Sequence, residues 1–139
     1  VNKNTVWASL LGTTDGNLEW RQHRAFGCND LTGHTGQFKC TRPDWAKYYK
    51  STLAVPIRFP TNAQRNEYDI IGFLTFDSPL KGVFYKIPNI FDYLDQSPAE
   101  YGEHLESSIA FQAAATLADM LGACLHPLKN TPPQATGKE

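Results

Sequence analysis

The sequence predicts an α+β domain in which an antiparallel sheet packs on helices. Three observations carry this. Residues 51–59 place Leu53, Val55, Ile57 and Phe59 on one face of a strand. Residues 69–78 follow with a nearly continuous apolar run of Ile70, Ile71, Phe73, Leu74 and Phe76, which predicts a strand buried on both faces. A helix then starts at Ser97-Pro98-Ala99-Glu100, where a capping box coincides with a proline at the first helical position.

The remaining elements follow in chain order. Residues 5–12 read as a strand, because Val6, Trp7, Leu10 and Leu11 are β-prone or bulky. Thr13-Thr14-Asp15-Gly16-Asn17 reads as a hairpin turn. Residues 18–26 return as a second strand, with Leu18, Trp20, Gln22, Arg24 and Phe26 on one face and Glu19, Arg21 and His23 on the other. Residues 27–39 hold three glycines and form a long loop. Thr41, Pro43 and Asp44 signal a short helix over 43–49. Within the strand 51–59, Pro56 lacks a donor, so an edge or an irregularity is expected there.

Residues 60–68 are a polar loop, and Ser78-Pro79 ends the next strand. Val83, Phe84 and Ile87 predict a short strand, and 88–94 a helical turn with Ile90, Phe91 and Leu94 inward. From Ala99 one helix runs to about Leu125 with Tyr101, Leu105, Ile109, Gln112, Thr116 and Met120 on one stripe and Leu117, Leu121 and Cys124 beside it. Ala110 and Ala113–Ala115 make part of its surface narrow, and Pro127 ends it. The expected organisation is one domain over 1–126 and a tail or linker over 127–139.

Composition narrows the function. The net charge of −1 argues against a general nucleic-acid or membrane-surface binder, which needs a basic surplus. No apolar run approaches the roughly 20 residues of a membrane helix. The three cysteines, Cys28, Cys40 and Cys124, are a poor disulfide framework, and a reducing cytoplasmic compartment is expected. The chain opens Val1-Asn2-Lys3-Asn4 without an initiator Met, so a piece of a longer protein is expected.

Two stretches, Ser51-Thr52-Leu53-Ala54-Val55-Pro56-Ile57 and Ile71-Gly72-Phe73-Leu74-Thr75-Phe76-Asp77-Ser78, resemble the paired strand motifs of the GAF family. Ile109-Ala110-Phe111-Gln112-Ala113-Ala114-Ala115-Thr116-Leu117-Ala118 is similar to that family's closing helix. The likeness is clearest over 50–125. It implies a sheet of about six antiparallel strands, helices on one face, and a ligand pocket on the other under a loop roof. It also implies a homodimer through terminal helices, an N-terminal helix that has no evident counterpart before Thr5, and an output domain in the same parent chain.

The roof would be residues 27–49. Its Phe38, Trp45, Tyr48 and Tyr49, with Arg42, supply apolar walls and a fixed charge for an unknown small molecule, and Arg58 near a strand end joins the candidate set. Trp45 and Tyr48 would equally serve to seal the sheet. Arg58 and Asp77, each near a strand end, would form a structural or pocket-rim ion pair or stand solvated. No cofactor, no metal and no catalytic residue is expected: the close cysteine pair of a zinc site is missing around Cys28, His34 and Cys40. The family's cyclic-nucleotide signature is not recognisable either. The alternatives are a ligand-free dimerisation or protein-interaction module, and a thiol-dependent reductase of the free methionine sulfoxide reductase type using Cys28 and Cys40. Cys124 is expected as a small core residue, and His104 and His126 as exposed.

Overall fold

The computed structural model of the protein describes residues 4–15, 18–65 and 67–130. It is α+β. Helix α1 (Thr5–Leu11) precedes strands β1 (Phe26–Cys28), β2 (Ser51–Asn62) and β3 (Glu67–Ser78), and helices α2 (Pro98–Glu106) and α3 (Ile109–Asn130) close the chain. The strands form one antiparallel sheet in the order β1-β2-β3. Among the described residues the sheet has three strands rather than about six.

The β2–β3 hairpin is longer than its sequence signal. Strand β2 continues past Phe59 to Asn62, and a three-residue 3-10 turn, Ala63–Arg65, joins it to β3. The polar residues at 60–68 are therefore mostly strand ends. Strand β3 is not buried on both faces: it is the sheet edge, with Asp69, Thr75 and Asp77 exposed and Ile70 to Leu74 half-buried. Its apolar run stops short of a central strand because, among the described residues, no strand lies beyond it.

The two sheet faces differ. Leu53 and Phe76 face Ala110, Ala113, Ala114 and Leu117 of α3. Thr52, Thr75 and Asp77 face α1 and the segment that follows β1. Helix α3 thus covers one face, and α1 with the roof covers the other.

Pro56 sits in the middle strand, where a ladder donor would normally be needed. The Gly27 N–H donates to Tyr101 Oη at 2.9 Å, so Gly27 faces away from β2. Phe26 and Cys28 then bond Ala54 and Thr52, and alternation turns the Pro56 nitrogen to the same side. Strand β1 ends opposite Ala54, so that side of Pro56 is an open edge. The register also shifts between Ile57 and Arg58. Both expected features, an edge and an irregularity, occur there.

Residues 5–12 form a helix, not a strand. Asn4 Oδ1 accepts from the Val6 and Trp7 amides at 3.0 and 3.3 Å, which caps the first turn. Gly12 adopts a left-handed φ of 69°, and the Thr13 N–H returns to Ala8 O at 2.9 Å. Caps at both ends outweigh the weak β preference of Val6 and Trp7.

Residues 18–26 do not form the predicted strand either. Only an isolated bridge, Thr14 to Glu19, marks the turn, and Gly16 and Asn17 lie outside the described residues. The backbone bonds go elsewhere: the His23 N–H to Ser9 O at 2.8 Å and the Trp20 N–H to Thr13 O at 3.0 Å. Trp20, His23, Ala25 and Phe26 are buried, whereas Gln22 and Arg24 are exposed. The two-residue alternation fails because this stretch wraps around α1.

His23 illustrates the result. It is buried, with its ring edge-on to Trp20 and Tyr101 at 5.8 and 5.7 Å, and Nδ1 lies 2.7 Å from Arg21 O. Burial lowers its pKa from the ordinary 6.5, with Arg21 adding to the effect against the backbone bonds. Between the folded and unfolded values the unfolded chain binds more protons, so stability rises with pH. The neutral imidazole's contribution is complete above pH 6.5 and is lost as pH falls through the depressed value. Urea midpoints measured from pH 7 down to 5 should fall more steeply in wild type than in His23→Gln.

The predicted strand around Val83 and Phe84 is a series of turns. The Asn29 side chain donates to Phe84 O at 2.8 Å and accepts from the Phe84 N–H at 3.0 Å, so one side chain replaces the ladder. A 3-10 turn, Ile90–Tyr93, follows as expected, with Ile90 and Phe91 buried and Leu94 half-buried.

The predicted single C-terminal helix is two helices bent by 100°. Ser97 caps α2 by accepting from the Glu100 N–H. Ser108 then accepts from the Phe111 N–H at 3.3 Å and starts α3. The break rotates the stripe. Tyr101 and Leu105 are buried, but Ile109 is 72% and Met120 60% exposed, and Phe111, Ala114 and Ala118 take the inner face. Cys124 is exposed rather than core. Helix α3 passes Pro127 and reaches Asn130, and residues 131–139 of the expected tail lie outside the described residues. Among the described residues no single helix is long and apolar enough to cross a membrane.

Candidate functional site

The segment between β1 and β2 forms a roof tied to α1 at one end and β3 at the other. The Thr5 N–H donates to Lys39 O at 2.9 Å, and Thr5 Oγ1 accepts from the Lys39 N–H at 2.6 Å. The Lys50 N–H donates to Ser78 O at 2.8 Å. Between these anchors a short 3-10 turn, Trp45–Lys47, stands where a helix over 43–49 was expected. Residues 27–39 are not wholly irregular: they contribute to β1 and a 3-10 turn, Leu31–His34.

Under the roof lies a cavity of about 310 Å³. Phe38, which is buried, lines it from the roof with Arg42 and Tyr49, and Trp7 closes it from α1. Thr52, Thr75 and Asp77 enter from the sheet. Trp7 is fixed by stacking on Phe73, with ring centres 4.5 Å apart and planes at 26°. Thr52 Oγ1 donates to Asp77 Oδ1.

Arg42 is the fixed cation. Its Nε donates to Asp44 Oδ1 at 3.0 Å, and the guanidinium lies 3.6 Å over the Tyr48 ring. Hydrogen bonds that Arg42 donates to Tyr49 and to the Asp44 carboxylate raise its pKa further, so it is always charged.

Of the six expected ligand residues, Phe38, Arg42 and Tyr49 share this cavity. Trp45 and Tyr48 stand behind it: Trp45 meets Phe38 edge-on at 4.7 Å, and Tyr48 carries Arg42. Arg58 is elsewhere. It lines a cleft at the far end of the hairpin with His23, Arg24, Glu67 and Tyr68, and its guanidinium is 4.3 Å over the Tyr68 ring. Arg58 pairs with Ile70 in register and Asp77 with Thr52, six β2 residues apart, so the two do not form an ion pair.

That cleft is larger, about 510 Å³, yet it is more open, and Gln22, Arg24, Glu67 and Tyr68 in its wall are exposed. The smaller cavity combines buried Phe38 with converging polar side chains, the kind of lining small-molecule sites have. Sequence reading missed its Trp7, Thr52 and Thr75, and considered Asp77 only as a partner of Arg58. Trp7 was hidden by the strand assignment of α1. Phe73, Thr75 and Asp77 occupy alternate positions of β3, a signal masked by the apolar run around them.

Among the described residues no group of three or more His, Cys, Asp or Glu could hold a metal ion. Cys28 is buried, and desolvation pushes its thiol up to about 11, which leaves little thiolate near neutral pH. Cys40 is half-buried and lines the cavity as a free thiol. No family model, curated protein or solved structure matches the chain.

Proposed function

We propose that this chain is a regulatory sensor module of GAF type within a larger cytoplasmic signalling protein. It binds a small ligand in the cavity under the roof and signals through α3 to an output domain. One observation supports this above the others. Phe38, Arg42 and Tyr49, read from the sequence as ligand residues, line one cavity together with Trp7 and Asp77.

The sheet connects this site to α3. Strands β2 and β3 present one face to the cavity and the other to α3. The contact with α3 is close: a Cβ at Gly122 would stand 2.4 Å from Arg58 O. A ligand shifts α3 only by binding two arrangements of the sheet with different affinity.

A thermal-shift screen of nucleotides, amino acids and aromatic metabolites tests the reading. A ligand at a hundred times its Kd adds about 2.7 kcal/mol of stability. Thr75 is exposed and lines the cavity, so Thr75→Trp fills the space without disturbing the core. Hits should vanish in Thr75→Trp while its unliganded melting point stays near wild type. Hits that persist in the variant would place binding elsewhere.

A further inference from the structure

We infer that the ligand is an aromatic α-amino acid held as its zwitterion; this rests on the sensor reading above. The charges lining the cavity favour it. Arg42 and Asp77 both face the space, but Arg42 forms its ion pair with Asp44, and Asp77 accepts from Thr52. Two opposite charges therefore share a small cavity without closing on each other. A ligand with one charge is attracted by one of them and repelled by the other. A zwitterion satisfies both: carboxylate on the guanidinium, ammonium on Asp77.

The guanidinium is ready for a carboxylate. Stacking on Tyr48 and the Nε bond to Asp44 fix its plane, so little ordering is lost when its remaining N–H groups bind an anion. Asp77 keeps Oδ2 for a donor after Oδ1 accepts from Thr52. The apolar part of the ligand meets Trp7, Phe38 and Tyr49, and rings gain from offset and edge-on contact with other rings. The volume of about 310 Å³ is at the lower end for small-molecule sites and suits one ring with a short charged head. A phosphate-bearing nucleotide would bring several negative charges beside Asp77.

Calorimetry with L-phenylalanine and L-tyrosine, against phenethylamine and 3-phenylpropanoate, tests this on the whole chain. At least one amino acid should bind about tenfold or more tightly than either one-charge analogue. Asp77→Asn, which keeps an acceptor for Thr52, should lose the discrimination against 3-phenylpropanoate. Arg42→Gln should lose the discrimination against phenethylamine. Unchanged urea midpoints in both variants would show that folding is intact. Equal binding of the analogues, or no binding of the amino acids, overturns the zwitterion. If a nucleotide or other metabolite then binds and Thr75→Trp abolishes it, the sensor reading stands alone. If nothing in the metabolite screen binds, both readings fall.

Discussion

Gly122→Ala is expected to destabilise the protein by about 1–3 kcal/mol, the usual range for overpacking. The added methyl would lie 2.4 Å from the Arg58 carbonyl oxygen and 3.7 Å from Ile57 Cγ2. A backbone oxygen in a strand cannot rotate away, so relief requires α3 to move off the sheet. Alanine gains up to about 1 kcal/mol over glycine in a helix interior, which offsets part of the loss. Gly102 in α2 isolates that gain, because a Cβ there meets nothing within 4 Å. Gly102→Ala should raise the urea midpoint and Gly122→Ala should lower it. Equal midpoints for the two variants would mean that α3 does not seat against β2 at this point.

Tyr101→Phe is expected to cost about 1–3 kcal/mol through one orphaned donor. Tyr101 is fully buried, and its hydroxyl oxygen accepts from the Gly27 N–H at 2.9 Å. The hydroxyl also contacts Pro88 O at 3.4 Å, and burial pushes its pKa well above the ordinary value of 10.0. Phenylalanine keeps the ring but leaves the Gly27 N–H without its acceptor at a site closed to water. A larger residue at position 27 would force Ile87 to shift, since a Cβ would lie 2.5 Å from Ile87 Cγ2. Hydrogen exchange at the Gly27 amide would report the lost bond directly, and a urea midpoint matching wild type would contradict its weight.

The hairpin and the start of α2 were legible in the sequence as elements, but the burial was not: β2 is buried on both faces from Ser51 to Ile57, whereas β3 is the half-exposed edge. Alternation in 51–59, the apolar run of 69–78 and the Ser97-Pro98 cap each describe what the chain does locally. The N-terminal third was not legible, because two signals compete there. Val6, Trp7 and Leu10 favour strand weakly, whereas Asn4 and Gly12 cap a helix, and the cap hydrogen bonds prevail. The helix break had a signal in Ser107-Ser108, but the apolar spacing carries on through it and conceals the turn.

The site was legible in half. Roof residues Phe38, Arg42 and Tyr49 stand out as aromatic and cationic positions in a long connection. Trp7 and Asp77 come from elements whose exposed faces depend on where the chain folds back. Arg58 has the right chemistry but the wrong end of the strand: spacing along β2 carries it away from the roof.

An amide-resolved NMR titration with the strongest thermal-shift hit tests the central claim most directly. Binding under the roof should perturb the Trp7 indole, the amides of Phe38 to Arg42, and those of Thr75 to Asp77, with smaller changes along α3. Changes confined to Ala110, Ala113 and Leu117, in the apolar groove on the opposite sheet face, would contradict it.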